Sequence, residues 1–308
     1  MRNANVERPG RRKKQRAAKR NAGRAFFALA FVILVFSLLY SYAGIFPGRS
    51  GLLPAPDEIF VSFIDVGQGD AILIRSAKNA VLIDGGEYRM RHDVLEYLRR
   101  AGVARLCFVV ATHPHSDHIG SLATIVSHVE VGYVAMPDIM HASQAFENLL
   151  EAILNHGIET VFPSAGDVLQ AGAIRLEVVS PAEASDSGGA NNMSVMLRLA
   201  HGGTSFLFAG DAERRAEEIL LSSGRDISAD VLKVGHHGSR TSTSQPFLDA
   251  VSPSFAVLTV GARNSFGHPH GDVVARLAQS GAAILRTDEL GSIMFVTDGK
   301  ELTVHVDY

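Results

Sequence analysis

The chain has 308 residues, 46% hydrophobic and 20% charged, with 29 Gly, one Cys and no Trp, an ordinary globular composition that excludes collagen, coiled coil and bulk disorder. Cys107 alone forms no internal disulfide, and a chain of this length can be stabilised by its apolar core without a disulfide framework. The net charge of −3 conceals a division, because residues 1–24 carry ten Lys or Arg against Glu7, a local +9 that leaves −12 for the rest.

Residues 25–46 follow as 22 residues without a charged side chain, AFFALAFVILVFSLLYSYAGIF. At about 1.5 Å per residue a helix of this length reaches about 33 Å, enough to cross a hydrocarbon core of about 30 Å. Tyr40 and Tyr42 lie near its far end, where interfacial aromatic rings are favoured. The run is longer than the roughly 7 to 15 apolar residues of a signal-peptide core, so an uncleaved anchor fits better than a cleaved signal. Flanking positive charge stays inside. The expected order is therefore a basic cytoplasmic tail over 1–24, a transmembrane anchor over 25–46, a Pro- and Gly-containing linker over 47–58, and a domain over 59–308 outside the cell membrane.

From residue 59 short apolar runs alternate with turn residues. IFVSFIDV, AILIRS and AVLIDGG read as successive strands, a helix is expected over 93–101, and LCFVVAT reads as the next strand. Further helices are expected near 120–127, 144–155, 212–222, 244–251 and 273–280. Strands lie between and after them at VGYVAM, IRLEVV, SVMLRLA, TSFLFAG, DVLKVG, FAVLTV, AAILRT and GSIMFV. This mixed α/β order predicts two sheets covered by helices in one domain. The polar stretch EASDSGGANN reads as a surface loop.

Candidate chemistry sits where strands end. LCFVVAT runs into His113, His115, Asp117 and His118, three imidazoles and a carboxylate within six residues. His at i and i+2 beyond a strand aims two ring nitrogens at one cation, and the following Asp and His reach a second. TSFLFAG ends at Asp211, and DVLKVG ends at His236 and His237. A carboxylate between two divalent cations holds them about 3.5–4 Å apart in two-metal hydrolysis. FAVLTV is followed by His268, between Gly267 and Pro269, placed to contact substrate or to protonate a leaving group, or else merely to stabilise a turn. Asp65 and Asp70 in DVGQGD, and Asp84 in LIDGG, are either turn formers or partners that orient a ligand histidine. Isolated histidines such as His128, His141 and His201 read as ordinary surface or hydrogen-bonded residues.

The HxHxDH run with the later strand-end Asp and His resembles the metallo-β-lactamase superfamily. More narrowly, DVGQGDAILI, THPHSDHIGS, NNMSVMLRL, LKVGHHGS and GHPH resemble the C-terminal hydrolase domain of the ComEC/Rec2 competence proteins, over about residues 59–297. The resemblance implies an αββα metallo-β-lactamase sandwich preceded here by one transmembrane helix. It also implies His113 and His115 in one metal site, Asp117 and His118 in the other, Asp211 bridging, and a late ligand from the His236–His237 pair. The sequence leaves open which member of that pair faces the metal, and His237 is the preferred assignment. Where many superfamily members place another His, this chain offers Asn191, Asn192 and Ser194, harder and weaker donors that favour Mn²⁺ over Zn²⁺ or a single firmly held ion.

The expected activity is metal-assisted hydrolysis by one or two divalent ions, Zn or Mn. Asp117, His236 and His268 are the catalytic candidates. The resemblance favours a phosphodiester, single-stranded DNA among them, although −12 outside the tail and the absence of Trp argue against a strong DNA groove. It stops short of the many-helix channel portion of a complete competence protein. An envelope phosphoester, or a non-catalytic metal-stabilised partner domain, is the alternative.

Overall fold

The computed structural model describes residues 45–47, 53–181 and 188–307. The basic tail and almost all of the expected anchor fall outside these residues; Ile45 and Phe46, at the anchor's expected end, lie in a short strand, Ile45–Pro47. Among the described residues no helix is long and apolar enough to cross a membrane. The end of the expected linker is tied to the domain by His201, whose Nε2 lies 2.7 Å from the Asp57 carbonyl, and is turned locally by Ala55 N donating to Glu58 Oε2 at 2.8 Å.

In chain order the strands that build the domain are β1 (Ile59–Phe63), β2 (Ile72–Arg75), β3 (Ala80–Ile83), β4 (Phe108–Val110), β5 (Tyr133–Ala135), β6 (Glu159–Val161), β7 (Val168–Ala171), β8 (Ile174–Ser180), β9 (Met196–His201), β10 (Thr204–Phe208), β11 (Val231–Lys233), β12 (Phe255–Leu258), β13 (Ala283–Arg286), β14 (Ser292–Thr297) and β15 (Leu302–Asp307). One sheet runs β15-β14-β1-β2-β3-β4-β5-β6 and the other β7-β8-β9-β10-β11-β12-β13. The pairs from β3 to β6 and from β10 to β13 are parallel, and the other pairs are antiparallel. The sequence pattern locates most of these strands but not β6, β7 or β15. The first two are short and carry exposed or half-buried residues, so they lack an apolar run to betray them.

Five phenylalanines join the sheets face to face. Phe63 on β1 lies 6.2 Å from Phe208 on β10 and 5.9 Å from Phe295 on β14, while Phe206 and Phe255 reach Phe295 at 5.8 and 5.5 Å. Aromatic pairs of this kind contribute about 0.5–1.5 kcal/mol beyond their area burial. β1, β2 and β3 are buried along their whole length, as strands covered on both faces must be.

Helices α1 (Arg91–Arg100), α2 (Ser116–Ile119), α3 (Leu122–His128) and α4 (Gln144–Asn155) belong to the first half, and α5 (Arg214–Ser222), α6 (Gln245–Val251) and α7 (Gly271–Gln279) to the second. They present apolar faces at helical spacing. α4 buries Phe146, Leu149, Ala152 and Ile153 and is capped by Ser143, whose hydroxyl accepts from Phe146 N. Each set joins the core of its own sheet: Val94, Leu122 and Leu149 pack with Leu73 and Val109, and Leu220, Leu248 and Leu277 with Leu207 and Leu232. This is the expected helix–sheet–sheet–helix order. The parallel strands β3, β4, β10, β11 and β12 point the same way within each sheet, so their carboxyl ends form an edge where functional side chains gather, the usual place for a site in open α/β sheets.

Candidate active site

Every candidate metal-ligating residue leaves the carboxyl end of one of these parallel strands. Beyond β4, residues 112–115 extend to the single turn α2, closed by His118 N and Ile119 N donating to the His115 carbonyl at 3.1 and 3.0 Å. That turn swings Asp117 and His118 back toward His113. Asp211 follows β10, and His236 and His237 follow β11 in a tight loop where both residues adopt positive φ, 48° and 53°.

Four of the side chains converge: one donor atom from each of Asp117, His118, Asp211 and His237 lies within 4.8 Å of the other three. His118 Nε2 is 3.2 Å from Asp211 Oδ1 and 3.3 Å from His237 Nε2. His237 Nε2 is 3.3 Å from Asp117 Oδ2 and 3.5 Å from Asp211 Oδ2. Of the HH pair it is thus His237, buried, that joins the quartet. His236 is a quarter exposed and turns to Glu213, with Nδ1 3.3 Å from Oε1, while its Nε2 remains 3.7 Å from Asp211. His113 is buried, with Nε2 3.8 Å from Asp211 Oδ2 and 3.0 Å from His115 Nδ1. His268 stands further out, its ring 5.5 Å from that of His236 and 6.4 Å from that of His237.

The far nitrogens of the buried imidazoles are also held. His118 Nδ1 meets Asp84 Oδ2 at 2.7 Å, and Asp84 also accepts from Thr112 N and Thr112 Oγ1. His237 Nδ1 meets the Thr259 carbonyl at 2.8 Å. Such contacts fix ring orientation and tautomer. The carboxylates of DVGQGD divide: Asp65 Oδ1 merely accepts from Gly67 N, a turn contact, whereas Asp70 is buried and accepts from Thr259 Oγ1. Gly69 lets this turn pass under the site, since a Cβ there would lie 2.1 Å from the Asp117 carbonyl oxygen.

The sequence alone suggests no role for Lys233. Its buried ammonium lies 2.5 Å from Asp70 Oδ2 and 3.7 Å from Asp211 Oδ1, and donates to the Gly210 carbonyl at 2.9 Å. The available signal is a single charge in the otherwise apolar strand-end run VLKVG. His141 reads from sequence as an ordinary surface histidine, yet its ring approaches that of His115 at 5.5 Å. The substitutes for an additional His also separate. Asn192 Oδ1 accepts from Glu213 N and Ala216 N, holding the start of α5, and Ser194 Oγ accepts from Asp211 N. Asn191 Oδ1 is buried without a hydrogen-bond partner.

Electrostatics bind the cluster. Burial disfavours a charged His118 and His237, but Asp211 and its neighbouring carboxylates outweigh it, raising His118 well above 6.5 and His237 to about 9. Burial likewise opposes ionisation of Asp117 and Asp211, and the adjacent imidazolium charges nevertheless hold both below the usual carboxylate range. Burial would depress Lys233, and Asp70 with Asp211 raises it instead. His113 is pushed down by burial and by His118, so it stays neutral with a lone pair available. Asp211 Oδ1 is buried and accepts no hydrogen bond. An uncommitted carboxylate oxygen facing imidazole nitrogens fits a divalent cation, which would take the place of the imidazole protons.

The sequence profile of the "Metallo-beta-lactamase superfamily" matches residues 64–261. The chain is 32% identical to ComE operon protein 3 of Bacillus subtilis, over 76% of this chain and 32% of that protein. It is also 32% identical to Competence protein ComA of Neisseria gonorrhoeae, over 78% and 32%. The chain thus spans about a third of the length of these curated relatives. Among solved structures, Igni18, a metallo hydrolase from Ignicoccus hospitalis, superposes with a TM-score of 0.51 at 14% identity, covering 77% of this chain and 98% of that one. CmlA, a diiron beta-hydroxylase from Streptomyces venezuelae, gives 0.51 at 16%, covering 76% and 53%. Those two likenesses concern the fold alone, and the family assignment rests on the profile and the relatives. The chain belongs to the metallo-beta-lactamase superfamily, as a metal-dependent hydrolase with competence proteins among its relatives.

Proposed function

We propose that the protein is a membrane-anchored phosphodiesterase that cuts single-stranded DNA, or a closely similar phosphodiester, outside the cell membrane in connection with DNA uptake. The observation that carries the hydrolytic reading is the convergence of Asp117, His118, Asp211 and His237 within 4.8 Å at the shared sheet edge. The competence relatives favour the substrate, and the basic tail followed by 22 uncharged residues favours the anchor and its orientation.

Asp117, His118, Asp211 and His237 would hold one divalent ion, zinc or manganese, and His113 and His115 would share a second with Asp211. When bound, such an ion lowers the pKa of a water from about 15.7 to about 7 and so supplies a nucleophile at neutral pH. Asp117, about a quarter exposed, sits where its carboxylate can orient that water from the solvent side. Asp84 and the Thr259 carbonyl keep the His118 and His237 rings aimed inward. His236, paired with Glu213, is placed to hold or pass a proton at the leaving group. Burial and the neighbouring His236 and His237 push His268 down to about 4, so it is neutral at pH 7. Contact with the substrate therefore suits it better than supplying a proton.

One observation favours a second reading. The −12 outside the tail makes a poor electrostatic groove for a polyanion, as a small envelope phosphoester would allow. Purified full chain, stripped by chelator and supplied with Mn²⁺ or Zn²⁺, separates the two. Cleavage of labelled single-stranded DNA together with bis(p-nitrophenyl) phosphate is the expected result. Cleavage of the small ester alone favours the envelope substrate, and no metal-dependent cleavage of either overturns the phosphodiesterase.

A further inference from the structure

After β12 the chain forms a loop over 261–268 whose shape is fixed by one side chain. Asn264 Oδ1 accepts from Phe266 N at 3.1 Å and His268 N at 3.0 Å, and its Nδ2 donates to the Gly261 carbonyl at 3.0 Å and the His268 carbonyl at 2.5 Å. The root of the loop is pinned as well. Gly261 N donates to Gln68 Oε1 at 3.3 Å, and a Cβ on Gly261 would stand 2.7 Å from Gln68 N. At the tip of this braced loop Phe266 keeps 62% of its surface in solvent. Its ring lies along the His268 imidazole, centroids 5.7 Å apart and planes within 24°. The His268 ring in turn neighbours those of His236 and His237, at 5.5 and 6.4 Å.

Isolated exposed apolar residues are common and need no explanation. This one differs in sitting on a hydrogen-bonded loop, in having a near-parallel imidazole beside it, and in standing two ring neighbours from the quartet. A solvent-facing aromatic surface kept in place before substrate arrives loses little freedom when a flat ring settles on it. Every nucleobase has such a face, so stacking of this kind tolerates any sequence. It also needs no cation, which suits a domain with net negative charge.

We infer that Phe266 is a stacking platform for a nucleobase on the nucleotide next to the phosphodiester held at the metal-ligating quartet, making it a substrate-positioning residue that selects nucleotide over plain phosphodiester. The inference rests on the proposal that this centre acts on phosphodiesters. Asn264 fixes the loop that presents the ring, and the His268 imidazole lies near-parallel beside it.

The test compares an oligothymidylate with the same oligonucleotide lacking the bases around its central phosphates, using purified full chain as wild type, Phe266→Ala and Phe266→Tyr. Binding is read by fluorescence anisotropy in chelator at one salt concentration, and cleavage is read with Mn²⁺. Wild type is expected to prefer the base-bearing strand in both readouts. Phe266→Ala is expected to shrink that preference about five- to hundredfold, the effect of losing one base–aromatic stack. The loss should fall on Kd and KM rather than kcat, and Phe266→Tyr should keep the preference. A wild type indifferent to the bases, or a Phe266→Ala chain that discriminates as well as wild type, overturns the platform while leaving the phosphodiesterase standing. Base-dependent binding that Phe266→Ala abolishes, with no cleavage under any cation, overturns the phosphodiesterase and supports the platform.

Discussion

The two strand-end segments that bring ligands to the centre, 112–120 after β4 and 235–244 after β11, achieve this by different means. The first is closed by the single turn α2, whose Asp117 and His118 carbonyls are taken by Asp70 N and Gly85 N, and His113, His115, Asp117 and His118 keep ordinary extended or helical conformations. The second places three non-glycine residues in the left-handed region, His236, His237 and Thr243. Such residues cost on the order of 1 kcal/mol or more each and persist only when their surroundings hold them. Here the hold comes partly from within the loop and partly from two helices outside it. Glu217 on α5 accepts from Thr243 N and Ser244 N, Thr243 Oγ1 accepts from Gly235 N, Ser242 Oγ donates to the Gly235 carbonyl, and Arg276 on α7 donates to the Thr243 carbonyl. A local turn thus supplies one half of the site, and a strained loop braced by two helices supplies the other.

Asp211 is where the two halves meet, so its loss should have the largest effect. Asp211→Ala is expected to keep the fold and lower hydrolysis by about a thousandfold or more, the scale of the several kcal/mol that metal catalysis supplies. Circular dichroism with steady-state kinetics reads both sides, and near-normal turnover would remove Asp211 from the centre. Next comes Lys233, the buried cation under the second half. Lys233→Met leaves Asp70 charged, buried and without its ammonium, and should destabilise the metal-free protein by about 3–5 kcal/mol in denaturant unfolding. Adding Asp70→Asn should recover much of that loss; purely additive losses would mean that the pair does not act as a unit.

In the first half the corresponding support is Asp84. Asp84→Asn keeps a side chain that tolerates its positive φ of 57° but takes the carboxylate from His118, and metal affinity should fall about 10- to 100-fold by calorimetric titration. An unchanged affinity would show that the His118 ring needs no such partner. The smallest effect concerns Glu217, whose pKa burial raises above the ordinary 4.5 despite its hydrogen bonds from Ser244 and Thr243. Between 4.5 and the raised value the folded chain retains a proton that the unfolded chain has lost, so this group's contribution to stability declines as pH rises through that window. Glu217→Gln has no such proton. Urea unfolding from about pH 4 upward should show wild type losing ground to the variant by a small margin. A pH-independent difference would mean that Glu217 titrates alike in both states.

The same contrast explains what the sequence disclosed. A single unstrained turn is written in adjacent residues, so the HxHxDH spacing leads to His113, His115, Asp117 and His118 and to the strand before them. Asp211 and the HH pair are legible because each follows an apolar strand. The braces are not, since Glu217, Thr243 and Arg276 are remote in sequence and ordinary in type. Lys233 is visible only as one charge in an apolar run, a signal without a partner until the fold brings Asp70 beside it. Asn192 reads as a weak replacement ligand because its role at the start of α5 depends on a helix some twenty residues away. The strands at the sheet margins escape notice where exposure has erased their apolar pattern, while the buried central strands show it fully.

On the proposed function, Asp117, His118, Asp211 and His237 hold the tighter cation and His113 and His115 hold at most a weaker one. Calorimetric titration of metal-stripped full chain with Mn²⁺ and Zn²⁺, for wild type, His237→Ala and His115→Ala, tests it most directly. His237→Ala is expected to lose the tighter binding event and His115→Ala to retain it. Tight binding that survives His237→Ala and vanishes in His115→Ala would contradict it.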